Sequence, residues 1–139
     1  MTDLRDRLRE RGWRLTAQRR VVAEVLSGDN VHMTADEIFT AATERLPEIS
    51  RATVYSTLNE LEAMGEVAAV AADGRSRRYD PNANRPHHHL SCRRCGRLWD
   101  VHPIGVDQLR IDHCELDGFR PDGVDIVYHG TCGACADLA

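Results

Sequence analysis

Two pairs of cysteines, each separated by two residues, offer the clearest chemistry in this sequence of 139 residues. Cys92 and Cys95 form the first pair, and Cys132 and Cys135 form the second. This spacing lets both thiolates of a pair face one ion, so two pairs supply the four ligands of a structural zinc site. Two redox dithiols or two disulfides are the alternatives, but a redox motif usually occurs singly in a thioredoxin-like setting. The spacing therefore predicts a four-thiolate Zn²⁺ site.

A run of three histidines just before the first cysteine pair indicates a second metal site of different chemistry. In an extended strand, His87 and His89 lie on one face and His88 points to the other. Two imidazoles need further ligands, and the candidates elsewhere in the chain are His32, Asp80, Asp100 and His102. Nitrogen and oxygen ligands suit Fe²⁺, Mn²⁺, Zn²⁺ or Ni²⁺. A surface run of histidines without a metal is the alternative that the pattern leaves open.

The elements that must position these ligands divide near Asp80, because all five cysteines and six of the seven histidines follow it. Residues 1–80 predict a short first helix and three further helices with Thr16, Thr34 and Ser50 as N-caps. A hairpin around Asp73-Gly74 follows. Helices followed by a hairpin are the order of a winged helix.

The second part, residues 81–139, predicts strands around a helix near residues 106–116. This lobe is too small for a self-sufficient core, so a bound metal would supply stability. The predicted fold class is α+β, with a winged helix-turn-helix domain (1–80) followed by a small α/β metal-binding domain (81–139).

A basic face is compatible with the acidic net charge of −4, because residues 1–20 hold seven arginines against three acidic residues. The exposed side of the predicted recognition helix carries Arg51, Thr53 and Tyr55, which can reach base edges or phosphates. The predicted hairpin, or wing, carries Arg75, Arg77 and Arg78, which suit phosphate contacts. These residues favour binding to double-stranded DNA. The alternative is that the arginines merely solvate a helical surface.

The sequence predicts no membrane partner, because no stretch approaches the roughly 18 apolar residues of a membrane span. The first residues also lack the apolar core of a signal peptide. We therefore expect a cytoplasmic protein with reduced thiols. The pattern assigns no function to Cys114, His88, His102, His113 and His129.

Five stretches together resemble the ferric uptake regulator (Fur) family of metal-dependent transcription factors. They are residues 15–19 (LTAQR), 32–38 (HMTADEI), 50–55 (SRATVY), 87–96 (HHHLSCRRCG) and 130–135 (GTCGAC). The resemblance covers nearly the whole chain and implies a homodimer, with dimerisation through the C-terminal domain. Dimer symmetry in turn implies a pseudo-palindromic operator. Arg19, Arg51 and Tyr55 lie inside the matching stretches, so the resemblance implies that they contact DNA.

The regulatory metal distinguishes the branches of this family. The peroxide-sensing (PerR-like) branch, which includes catalase repressors, uses three histidines and two aspartates. The matching positions here are His32, Asp80, His87, His89 and Asp100. Iron-sensing relatives more often have glutamates at the two carboxylate positions, zinc sensors often include a cysteine, and nickel sensors are richer in histidine. The resemblance is therefore closest to the PerR-like branch, with Fe²⁺ or Mn²⁺ as the regulatory ion.

The mechanism that this resemblance implies is iron-catalysed oxidation of a ligand histidine, His32 or His87, by hydrogen peroxide. The damaged ligand weakens metal binding and lowers DNA affinity, which releases oxidative-stress genes from repression. The alternative is a repressor of metal-homeostasis genes that senses iron, zinc or nickel. A zinc-dependent enzyme is a remote alternative, because no glutamate lies near the histidine run to act as acid or base.

Overall fold

The chain forms two compact units, Met1–Pro86 and His87–Ala139, in a computed structural model that describes residues 3–71 and 76–137. The division falls after Pro86 rather than at the predicted boundary of Asp80. Residues 81–86 stay with the first unit because they hydrogen-bond to it. Arg7 Nη2 donates to the carbonyl of Pro81 at 2.8 Å, and Asn82 Nδ2 donates to the carbonyl of Gly28 at 3.2 Å.

The described residues of the first unit form four helices: α1 (Leu4–Glu10), α2 (Ala17–Leu26), α3 (Ala35–Arg45) and α4 (Arg51–Ala63). The predicted N-caps are confirmed, since the hydroxyl oxygens of Thr16, Thr34 and Ser50 each accept a hydrogen bond from the backbone N–H three residues later. Gly65 follows α4 with a φ of +75°, a left-handed conformation that glycine adopts without strain. This turn leads the chain from α4 into the hairpin.

A three-stranded antiparallel sheet completes the first unit, in the order β1-β3-β2. Its strands are β1 (Met33–Thr34), β2 (Ala68–Val70) and β3 (Arg78–Asp80). β2 and β3 are the arms of the wing, and the predicted turn at Asp73-Gly74 lies outside the described residues. All four helices contribute fully buried apolar side chains to one core, which includes Leu8, Val22, Leu26, Ile38, Ala42, Val54, Leu58 and Leu61.

The second unit is built on a central strand, β4 (His88–Cys92). β4 pairs antiparallel with β5 (Leu98–Val101) and parallel with β6 (Val127–Gly130). Short helical segments complete it: a 3₁₀ turn (Val106–Gln108), α5 (His113–Leu116) and α6 (Gly133–Ala136). Its buried residues, within the described part of the chain, are Ser91, Cys92, Leu98 and Cys135. So small a core gives a bound metal a large share in stabilising this unit.

The predicted helix over residues 106–116 is wrong over much of its length. The 3₁₀ turn is followed by a non-helical stretch at residues 109–112 and then by the four residues of α5. Asp112 begins a separate helix, because its carboxylate accepts a hydrogen bond from the N–H of Cys114 at 3.0 Å. Leu109 and Ile111 are exposed. An apolar stripe with no surface to pack against does little to stabilise a helix.

The architecture is the predicted α+β combination of an N-terminal winged helix and a small C-terminal α/β domain. No helix within residues 3–71 or 76–137 combines the length and apolar character needed to cross a lipid bilayer.

Candidate metal centres and nucleic-acid interface

The four paired cysteines come together in the second unit, where their Sγ atoms all lie within 4.8 Å of one another. Cys92 ends β4, and Cys95 lies in the turn that follows it. The parallel pairing of β4 with β6 places Gly130 beside Cys92. The chain then reaches Cys132 and Cys135 at the start of and within α6, and Cys132 Sγ lies 3.9 Å from Cys95 Sγ. The strand pairing therefore assembles the predicted four-thiolate cluster.

The electrostatics of this cluster fit a divalent cation. The backbone N–H groups of Cys95 and Cys132 donate to Cys92 Sγ at 3.5 and 3.3 Å, and these bonds lower the pKa of the Cys92 thiol to about 6. The pKa of Cys135 is raised to about 12, first by its hydrogen bond with the Cys132 thiol and then by burial. Cys92 therefore forms a thiolate at neutral pH, whereas the Cys135 thiol needs a positive ion beside it to lose its proton. Four sulfur ligands with this requirement suit Zn²⁺.

In the first unit, His32 and Asp80 form a buried pair of a nitrogen and an oxygen ligand. The pairing of β1 with β3 places Met33 opposite Tyr79, and so brings the residues next to them side by side. His32 Nε2 lies 3.4 Å from Asp80 Oδ2, and both side chains are buried. Asp80 Oδ1 accepts a hydrogen bond from the N–H of Asn82 at 2.9 Å, which orients the carboxylate.

In the second unit, His87, His89 and Asp100 gather near the start of β4. The antiparallel register of β4 and β5 places His89 directly opposite Asp100. Asp100 Oδ1 lies 3.5 Å from His87 Nε2 and 3.8 Å from His89 Nε2. The two imidazole rings meet edge to face, with centroids 4.8 Å apart. As the strand alternation predicts, both histidines face the same carboxylate, and the three side chains fit part of a metal ligand set.

His88 points away from this trio and has a different partner. Its Nδ1 accepts a hydrogen bond from the N–H of Ile126 at 3.0 Å, while the N–H of His89 donates to the carbonyl of Ile126 at 3.1 Å. These two bonds hold β4 against the residue before β6. His102, the other candidate ligand, is exposed and belongs to neither ligand cluster within the described residues.

Of the predicted DNA-binding residues at the start of α4, Arg51 and Thr53 contact neighbouring side chains and Tyr55 is exposed. Arg51 forms an ion pair with Asp36, and its guanidinium lies 4.5 Å from the ring centroid of Phe39. Thr53 takes part in the cap of its own helix, because its N–H donates to the hydroxyl of the N-cap residue at 3.1 Å. Tyr55 is exposed, so its ring can reach a partner.

Arg19 lies at the start of α2 and is oriented by three contacts, of which one is the hydrogen bond that its Nη1 donates to the carbonyl of Arg14 at 3.0 Å. Its guanidinium lies 4.2 Å from the ring centroid of Trp13, and its Nη2 lies 2.9 Å from Glu60 Oε2 on α4. A glutamate from the recognition helix thus holds the arginine beside that helix. The sequence predicted the arginine but not the acidic residue that orients it.

The arginines of the wing differ from one another in their surroundings. Arg77 is 52% exposed and lies 2.8 Å from Glu62, so its side chain remains on the surface. Arg78 is only 14% exposed, and its Nη1 donates to the backbone carbonyl of His32 at 2.8 Å. Arg75 lies outside the described residues. Arg77 therefore lies at the surface, whereas Arg78 is directed to the candidate ligand His32.

Comparisons with known proteins show which family the chain belongs to. The model of the "Ferric uptake regulator family" matches residues 10–129. The peroxide operon regulator of Bacillus subtilis (strain 168) is 32% identical over 129 residues, which cover 93% of this chain and 88% of that protein. Ferric uptake regulation protein 1 of Mycolicibacterium fortuitum is 32% identical over 136 residues, which cover 98% of this chain and 84% of that protein. A solved structure of a zinc-bound manganese uptake regulator is similar with a TM-score of 0.76 and 26% identity, over 94% of this chain and 99% of that one.

Because the family model matches most of the chain, it establishes the general class of function. It excludes the remote alternative of a zinc-dependent enzyme, because members of this family regulate transcription. The chain belongs to the ferric uptake regulator family and is a metal-responsive transcriptional regulator.

Proposed function

We propose that this regulator is a DNA-binding repressor that senses hydrogen peroxide and controls oxidative-stress genes. One regulatory ion, Fe²⁺ or Mn²⁺, is bound by His32, Asp80, His87, His89 and Asp100. A structural Zn²⁺ ion is bound by Cys92, Cys95, Cys132 and Cys135. The repressor acts in the cytoplasm as a homodimer on a pseudo-palindromic operator.

The observation that carries the peroxide proposal is that both carboxylates beside the candidate imidazoles are aspartates. Asp80 lies 3.4 Å from His32, and Asp100 lies within 3.8 Å of both His87 and His89. The resemblance to the PerR-like branch rests on this ligand set, and the Bacillus subtilis relative is named a peroxide operon regulator. Nitrogen and oxygen ligands without a thiolate also suit Fe²⁺ and Mn²⁺.

The chemistry of sensing is oxidation of an imidazole. Fe²⁺, when bound, supplies the electron that splits hydrogen peroxide beside its ligands. In the net reaction, a ring C–H bond of His32 or His87 takes up one oxygen atom of the peroxide, and the other oxygen leaves as water. The oxidised imidazole is a poorer ligand. Because metal binding and DNA binding are coupled, loss of the metal lowers DNA affinity.

The interface with DNA is proposed on the first unit. α4 supplies Arg51, Thr53 and Tyr55 to the major groove, and Arg19 and Arg77 contact phosphates. Arg75 belongs to the same proposal, although it lies outside the described residues. Since the chain contains no lysine, arginine is the permanently charged side chain available for contacts with phosphate.

The test uses a DNA duplex selected from a random library by the Mn²⁺-loaded protein. We expect the Fe²⁺-loaded protein to release this duplex after brief exposure to peroxide, and we expect the Mn²⁺-loaded protein to remain bound. Peptide mass spectrometry of the released protein should find a gain of one oxygen on His32 or His87. Release without such a gain, or no release at all, contradicts peroxide sensing through these histidines.

The assignment of the added oxygen needs a control, because Met33 lies next to His32 and reacts with peroxide without a metal. Trypsin, which cleaves only after arginine in this chain, leaves both residues in the peptide 21–45. Fragmentation of that peptide must therefore place the oxygen. A Met33→Leu variant is the matched control, and it should still gain oxygen on His32 or His87 and still release DNA.

A repressor that responds to metal supply is the second candidate, because the Mycolicibacterium fortuitum relative of equal identity is named a ferric uptake regulation protein. Such a repressor would bind the selected duplex in proportion to free Fe²⁺, Zn²⁺ or Ni²⁺. Its iron form would be as insensitive to brief peroxide exposure as its manganese form. Duplex binding at controlled concentrations of each free metal, with and without peroxide, separates the two candidates.

A further inference from the structure

The side chain of Arg78 is largely buried and contacts the backbone of a candidate metal ligand. Arg78 lies on β3, next to Arg77, but only 14% of its side chain is exposed, against 52% for Arg77. Its Nη1 donates to the carbonyl of His32 at 2.8 Å and lies 3.5 Å from Glu37 Oε1. The guanidinium therefore joins the wing strand to the residue before β1 and to the first turn of α3.

β3 contacts His32 at two points. Alternate residues of a strand face the same side, so Arg78 and Asp80 extend together from β3. Arg78 donates to the main-chain carbonyl of His32, and Asp80 lies 3.4 Å from its imidazole. One strand of the wing thus orients both the backbone and the side chain of this histidine.

We propose that Arg78 is a positioning residue for the regulatory metal, which holds His32 in place and does not contact phosphate. The inference rests on the proposed function, in which His32 binds the regulatory ion. Groups that orient a metal ligand commonly change metal affinity by about ten- to a hundredfold when removed. To reach DNA, the largely buried Arg78 guanidinium would have to leave the carbonyl of His32. Arg77 is paired with Glu62, but that pair already lies at the surface.

The same contact gives a route from the metal to the wing. If the regulatory ion holds His32, then Arg78 and Asp80 transmit that restraint to β3 and so to the arm that carries Arg77. The coupling passes through two named contacts within the first unit, at 2.8 and 3.4 Å. It follows that removal of Arg78 should weaken both metal binding and the effect of the metal on DNA binding.

The test compares Arg78→Met with Arg77→Met, in protein that retains its zinc. Mn²⁺ affinity without DNA is measured by electron paramagnetic resonance of free Mn²⁺, and DNA affinity is measured at saturating Mn²⁺ over a range of salt. We expect Arg78→Met to weaken Mn²⁺ binding at least about tenfold and to leave the salt dependence unchanged. We expect Arg77→Met to keep Mn²⁺ affinity within about twofold and to lower the salt slope by about one.

Three controls keep the result interpretable. Thr16→Ala removes the N-cap of α2 and so lowers the stability of the same unit away from His32 and Asp80, and it should leave Mn²⁺ affinity unchanged. If Arg78→Met does not fold by circular dichroism, Arg78→Lys replaces it; the lysine keeps the charge but loses the guanidinium geometry, and Mn²⁺ affinity should still fall. His32→Ala should abolish regulatory Mn²⁺ binding.

Two results overturn the inference. The first is an Arg78 variant that binds Mn²⁺ as tightly as the wild type, and the second is one that lowers the salt slope as Arg77→Met does, which would make Arg78 a phosphate contact. A His32→Ala variant with unchanged Mn²⁺ affinity is a separate outcome. It would overturn the proposed regulatory site itself, and the role of Arg78 with it.

Discussion

Replacement of Glu66 by glutamine tests the ion pairs that hold α1 against the start of the wing. Glu66 lies between α4 and β2, and only 7% of its side chain is exposed. Its Oε2 accepts from Arg7 Nε, and its Oε1 accepts from Arg11 Nη1, both at 2.9 Å. The arginines lie on α1 and at its C-cap, so one carboxylate fastens this helix to the first unit.

The expected loss of stability is about 2 kcal/mol. A hydrogen bond between charged groups contributes about 1.5–3 kcal/mol when it is shielded from water, and this figure applies to Arg7, which is 21% exposed. The pair with Arg11, which is 45% exposed, is screened and contributes at most about 0.5 kcal/mol. Glutamine keeps one acceptor oxygen and directs an amide NH₂ towards a guanidinium, so it removes most of both contributions.

The pH dependence of this loss identifies its cause. Burial alone would raise the pKa of Glu66, but hydrogen bonds and charges from Arg7 and Arg11 outweigh it and lower the pKa below its ordinary value of 4.5. A carboxylate with a lowered pKa stabilises the folded state above its unfolded pKa, and this contribution disappears as the pH falls through the folded pKa. The difference between wild type and variant should therefore be full at pH 7 and should shrink below about pH 4.5.

Urea unfolding followed by far-ultraviolet circular dichroism measures this difference, because the long helices all belong to the first unit. Glu62→Gln is the matched control, since Glu62 pairs with Arg77 at the surface and its loss should cost under about 0.5 kcal/mol. Equal effects of the two substitutions would refute the argument from burial. If the loss of unfolding free energy caused by Glu66→Gln were as large near pH 3 as at pH 7, the charge of Glu66 would not be its cause.

Two further predictions concern the four-cysteine metal centre and the start of α3. Cys135→Ser should abolish stoichiometric zinc binding, whereas Cys114→Ser should retain it, because the exposed Cys114 thiol lies outside the cluster. Metal analysis of the purified variants measures this difference. Zinc retained by Cys135→Ser would contradict the four-cysteine site. Thr34→Ala should cost about 1 kcal/mol in urea unfolding, because it removes the acceptor of the Glu37 N–H, whereas Thr40→Ala on the exposed face should change stability by under about 0.5 kcal/mol.

The sequence best predicts the features of the fold that depend only on residues close together in the chain. Thr16, Thr34 and Ser50 cap their helices because a side-chain oxygen three residues before a free N–H satisfies it in any context. The placing of His87 and His89 on one side of a strand follows from alternation alone. Neither prediction needs knowledge of distant residues.

The prediction of a helix over residues 106–116 was wrong because its outcome depends on tertiary packing, which the local sequence does not contain. A periodic apolar pattern is stable as a helix only where it packs against another surface. Leu109 and Ile111 are exposed, so they contribute nothing to such packing. Asp112 instead caps a new helix, so α5 begins at a position where the longer helix was expected to continue.

The role of Arg78 could not be read from sequence for a related reason. Arg77 and Arg78 are identical in type and adjacent, and a wing arginine can face solvent or protein. Only the register of β3, with Tyr79 opposite Met33 and Arg78 opposite Thr34, shows which of the two turns towards His32. Basic residues in a hairpin indicate a DNA-binding surface as a group, but strand pairing decides which members belong to it.

The three residues of β3 offer a short structural connection through which binding of the regulatory metal would change DNA binding. Tyr79 is buried in the core of the first unit, while Arg78 and Asp80 both approach His32. The strand is therefore anchored by the core on one side and by the candidate ligand on the other. A coupling between two sites is reciprocal, so any factor by which the metal strengthens DNA binding is also the factor by which DNA strengthens metal binding. Because β3 is an arm of the wing, we expect a weaker contact between β3 and His32 to reduce this shared factor.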